Sequence, residues 1–73
     1  MANLDFMKEF DYFDGDHFIT FNIIEVNHLN NTVTVAISNQ GKLGQDTFDL
    51  HDSYHPYFEY GIYADKIYLS DFE

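Results

Sequence analysis

Apolar and small polar side chains alternate without a break along Thr32-Val33-Thr34-Val35-Ala36-Ile37-Ser38. A period of two carried by β-branched residues predicts a strand, with Val33, Val35 and Ile37 on one face and Thr32, Thr34, Ala36 and Ser38 on the other. Turn formers bracket it, Asn30-Asn31 before and Asn39-Gln40-Gly41 after. The pattern recurs on both sides. Residues 17–27 alternate through Ile19, Phe21 and Ile23, and then the apolar phase flips to Ile24 and Val26. A flip inside one strand signals a bulge or burial of both faces. Residues 46–50 predict a third strand with Phe48 and Leu50 inward and Thr47 and Asp49 outward. Residues 57–63 predict a fourth with Phe58, Tyr60 and Ile62 inward, and 66–69 a short fifth with Ile67 and Leu69 inward.

The connections carry their own signals. Asp14-Gly15-Asp16 is a hairpin turn, and residues 28–31 make the next one. Residues 38–44, with Gly41 and Gly44, read as a flexible hairpin loop. Pro56 makes 51–56 a turn, because it bars a helix and holds His55 extended. Gly61 marks a bend in the fourth strand. Residues 3–13 fit two periods. Leu4, Met7 and Phe10 are three apart behind Asn3 as an N-cap, which favours a short helix; Leu4 with Phe6, and Phe10 with Tyr12, alternate as in a strand. The helix is the preferred reading. The expected fold is mainly β: one domain over 1–73, an antiparallel meander of about five strands, curled or barrel-like, with the N-terminal segment as cover and an α+β arrangement as the alternative. The outer face of 32–38 bears no carboxylate, so something is expected to pack there, either the N-terminal aromatic segment or a partner.

Composition sharpens this picture. The 73 residues contain no cysteine, so neither disulfides nor thiolate metal sites support the fold, and eight Phe and six Tyr must supply the core. Thirteen acidic residues face three Lys and no Arg, for a formal charge of −10. Such a chain is repelled by nucleic acid and by anionic lipid, and its long-range attraction is to basic surfaces. Aromatic content of 19% argues against disorder. No apolar run approaches the length of a membrane span, and no signal-peptide pattern opens the chain, so a cytoplasmic location is expected.

Candidate chemistry is sparse. His51 and His55, with Asp49 and Asp52 nearby, have the four-residue spacing of a zinc pair, but Pro56 removes the helix that would align them. Asp11, Asp14 and Asp16 around Gly15 miss the spacing of a calcium loop, since Phe10 and Tyr12 fall where acids belong. Gly41-Lys42-Leu43-Gly44 lacks the frame of a phosphate loop. Glu25 and Glu59 interrupt apolar strands and are the best candidates for acid–base catalysis, in a chain too short for a deep cleft. No catalytic residue, metal or cofactor is assigned.

The remaining signal concerns interaction. Asp5, Glu9, Asp11, Asp14 and Asp16 cluster early in the chain, and Asp65, Asp71 and Glu73 late. They form one patch if the two ends lie side by side; otherwise they are a solubilising coat. Tyr57 and Tyr63 are expected outside, where tyrosine favours interfaces. In type, though not in any motif, the chain resembles small acidic accessory proteins of phages and mobile elements, some of which block nucleic-acid-binding enzymes. That resemblance implies a noncatalytic protein that engages a basic partner by mimicking nucleic acid. The alternatives are a domain that self-associates through a sheet edge, as a homodimer, and a small enzyme using Glu25 or Glu59.

Overall fold

The computed structural model describes residues 9–72. Six strands build two antiparallel sheets. The first is a meander of β1 (Phe10–Phe13), β2 (Phe18–Asn27), β3 (Thr32–Asn39) and β4 (Lys42–Asp49), in that spatial order. The second is a hairpin of β5 (Tyr57–Tyr60) and β6 (Asp65–Tyr68), followed by a 3-10 turn at Leu69–Phe72. The fold is thus mainly β, as the alternation predicts, with β3 interior between β2 and β4. The sheets do not close into a barrel. The hairpin and the 3-10 turn lie over one face of the meander, so the core forms between two layers.

Register decides what is buried. Phe21 pairs with Phe10 on one side and Ile37 on the other, and Val33 and Val35 face Val26 and Ile23 across β2. Ile19, Phe21, Val33 and Val35 from the meander meet Phe58, Ile67, Leu69 and Phe72 from the hairpin and its 3-10 turn, and Leu50 closes one end. Aromatic rings join the layers. Phe58 stacks on Phe48 at 4.9 Å and meets the edge of Phe21 at 6.1 Å, and Phe10 rests on Phe72 at 5.6 Å. The expected phase flip is a bulge: the β2–β3 register shifts between Ile23 and Glu25, leaving Ile24 unpaired and Val26 back on the core face.

Four expectations need correction. Within the described part of 3–13, Phe10–Phe13 is a strand rather than a helix, because pairing Phe10 with Phe21 and Tyr12 with Ile19 gives both aromatic rings a core position; residues 3–8 lie outside the described residues. Phe10–Phe13 joins the meander as an edge strand rather than covering the Thr32–Thr34–Ala36 face. The flexible loop over 38–44 is instead a two-residue turn at Gln40-Gly41, whose φ values of 53° and 82° suit a hairpin's right-handed twist. β4 therefore begins at Lys42. The strand expected over 57–63 ends at Tyr60, since Gly61 enters the left-handed region at φ 86° and the chain turns through 61–64. Ile62, expected in the core, is 91% exposed.

Candidate functional site

A cleft of about 310 Å³ opens where the β1–β2 hairpin, the end of β3 and the β5–β6 turn converge. Its lining comprises Tyr12, Asp14, Ile19, Asn39, Tyr60 and Gly61 to Tyr63. Strand alternation puts Tyr12 on the core face beside Ile19, at the margin where the second layer stops short. The Tyr12 ring meets the Tyr60 ring edge-on at 5.4 Å, and its hydroxyl donates to Asp65 Oδ2 at 2.5 Å. This bond ties β1 to β6, 53 residues apart in sequence.

The turn at Gly61 makes room for that bond. A Cβ on Gly61 would lie 2.9 Å from the Tyr12 hydroxyl, and φ of 86° is a conformation that side chains resist. Gly61→Ala is expected to destabilise the fold by about 1–2 kcal/mol and to displace the Tyr12 ring. Urea denaturation and the Tyr12 ring resonances check both effects.

Electrostatics in the cleft are one-sided. The Asp14 carboxyl is held below the usual carboxylate range by the backbone amides of His17 and Asp16, which donate to its Oδ1 at 3.0 and 2.9 Å. Its Oδ2 lies 3.4 Å from His17 Nε2. Among the described residues no Lys ammonium forms an ion pair with any carboxylate. The Tyr12 hydroxyl is pushed up to about 12, first by its hydrogen bond to Asp65, then by burial, then by the negative charges of Asp65 and Asp14. Asn39 Oδ1 is buried and accepts no hydrogen bond from the described residues.

A raised hydroxyl pKa means that folding favours the neutral phenol. Its contribution to stability is present below the unfolded value near 10 and is lost as pH rises towards 12. One of the six tyrosines should therefore ionise last, and Asp65→Asn should bring that step down. Tyrosinate absorbance across an alkaline titration measures both.

Of the residues singled out in the sequence, Asp14 and Tyr63 line the cleft and Asp65 anchors its wall. Asp16 is exposed in the same hairpin turn as Asp14. Asp11 is on the opposite face of β1, where Thr20 Oγ1 donates to it at 2.9 Å. Glu9 and Asp71 are exposed neighbours of the Phe10–Phe72 contact. Tyr57 is half-buried, between Tyr68 and His51 and beneath the Lys66 ammonium, which lies 5.2 Å from its ring. Asp5 and Glu73 lie outside the described residues. Glu25 is exposed beside the bulge, and Glu59 is exposed on β5 opposite Lys66. Among the described residues no cluster of three His, Asp or Glu is placed to hold a metal ion, and no helix is long and apolar enough to cross a membrane.

Sequence reasoning placed Tyr60 in the core and Asn39 in a turn, and left Tyr12 in a segment read as a short helix. Their part in the cleft depends on where the second layer ends, and no local pattern encodes that. Comparison with protein-family models, with curated proteins and with solved structures finds no match to this chain.

Proposed function

We propose that the protein is a noncatalytic interaction module whose cleft receives a cationic side chain, Lys or Arg, from the basic surface of a partner protein. The observation that carries this reading is the composition of the cleft. Tyr12, Tyr60 and Tyr63 supply aromatic surface for cation–π contact, Asp14 supplies negative charge with Asp65 behind the Tyr12 hydroxyl, and Asn39 Oδ1 is an acceptor without a donor among the described residues. A guanidinium meets all three requirements. The charge of −10 adds long-range steering towards the same kind of partner. In its sharper form the module occupies the nucleic-acid-binding surface of that partner, its carboxylates standing where phosphates would bind.

An arginine-rich peptide serves as the probe. Titration into the labelled protein should move the resonances of Tyr12, Asn39, Tyr60, Gly61 and Tyr63 together. Binding should weaken steeply with salt, and polynucleotide should compete for the peptide. Shifts scattered evenly over all the acidic positions, or an affinity indifferent to salt, would count against the cleft.

A further inference from the structure

β4 is an edge strand with an unusual self-complementarity. Its residues from Lys42 to Thr47 are all exposed, and among the described residues no strand pairs with its outer side. The two-residue turn makes Asn39 and Lys42 a hydrogen-bonded pair, and the Leu50 amide donates back to Asn31 O at 2.9 Å. Even-numbered residues of β4 therefore bond to β3, and the N–H and C=O groups of Leu43, Gln45 and Thr47 face outward. Edges of this kind recruit another strand unless something blunts them.

We propose that β4 pairs antiparallel with β4 of a second copy of this chain, centred on Gly44, so that Lys42 lies opposite the partner's Asp46. Two observations select this register. A two-fold axis perpendicular to the sheet keeps side chains of equal parity opposite one another, and of the registers it allows, this one matches the strand's only cation with a carboxylate, twice per dimer. Asp46 is also pre-positioned. Its Oδ1 accepts the outward Thr47 amide at 3.0 Å, so the carboxylate leans over the free edge with Oδ2 unused. Leu43 and Gln45 then exchange both backbone hydrogen bonds with the partner's Gln45 and Leu43, and the two meanders become one continuous eight-stranded sheet. Shifting the register by two residues sets Lys42 against Phe48 or Gly44 and loses both ion pairs. Pairing of this kind uses the outward backbone groups of β4 and leaves its hydrogen bonds to β3 in place.

A single strand pair buries little area, so the dimer is weak and forms at high concentration. Sedimentation equilibrium at moderate salt, where the charge of −10 on each copy is screened, should show the mass rising from 8.6 kDa towards twice that value as the protein approaches millimolar concentration. Lys42→Asp and Asp46→Lys should each abolish the rise, and the two combined should restore it. Asp46→Lys is the demanding case, because it lowers the net repulsion between copies yet should still prevent pairing. Gln45→Pro, which removes an outward amide and spares the β3 ladder, should also give a monomer. Amide dispersion confirms that each variant is folded. A wild-type mass fixed at 8.6 kDa, or association undiminished in Asp46→Lys, overturns the proposal. Neither result bears on peptide binding in the cleft.

Discussion

Phe58→Ala is expected to unfold a large share of the molecules under conditions where the wild-type chain is fully folded. Phe58 has no exposed surface and is the ring through which the two layers meet, stacked on Phe48 from β4 and edge-on to Phe21 from β2. Truncating a buried Phe to Ala costs about 3–5 kcal/mol, counting lost transfer free energy and the cavity left behind. A domain of this length holds about 4–11 kcal/mol in total. The loss then runs from about a quarter of the stability to all of it. No disulfide supports the hairpin, because the chain has no cysteine. Phe58→Leu should recover most of the deficit, and Tyr63→Ala, at a position 80% exposed, should change stability by no more than about 0.5 kcal/mol. Urea denaturation of the three variants measures the series. A Phe58→Ala midpoint equal to the wild-type value would mean that the layers are held together elsewhere.

The second large effect concerns binding. Asp14→Asn with Asp65→Asn should weaken the arginine-rich peptide at least tenfold and flatten its salt dependence. Asp14 lines the cleft and Asp65 holds the Tyr12 hydroxyl on its wall, so this pair carries the negative charge nearest a cation bound there. Fold and charge can be separated by a control. Asp46→Asn with Asp49→Asn removes the same charge from the β4 edge and should leave cleft affinity within about twofold, because neither residue lines the cleft and exposed charges are screened by salt. Equal weakening by both pairs would mean that net charge alone attracts the peptide. Asp65→Asn on its own also weakens the acceptor of the Tyr12 hydroxyl, so its effect should include a change in the Tyr12 ring that Asp14→Asn lacks.

Interior strands were legible and margins were not. β2 and β3 bury one face between neighbours, and burial of alternate residues is what writes a period of two into a sequence. The Ile23-Ile24 doublet was plain as a phase flip, open to a bulge or to burial of both faces, and the register shift selects the bulge. β4 starts four residues earlier than its pattern suggests, because Lys42 to Gln45 lie on an exposed edge where neither face is selected for burial. β1 is only four residues long, and over so short a stretch helical and extended spacings overlap. Ile62 misled because apolar character alone cannot distinguish the last strand residue from the first turn residue after Gly61. For the site, acid counting found Asp14 and Asp65 as separate members of a charge surplus. Only the tertiary fold unites them, through Tyr12, which lies in the segment read as a short helix.

The layered arrangement also imposes an order of assembly. Every pairing within the meander joins neighbours across a short turn, so its hairpins cost little loop-closure entropy and can form first. Its apolar face, with Ile19, Phe21, Val33 and Val35, finds no counterpart until Phe58, Ile67, Leu69 and Phe72 arrive from downstream. Docking of the second layer is then the committing step, and the species just before it carries a bare aromatic sheet. Until then, the formal charge of −10 on each chain sets two such species repelling one another.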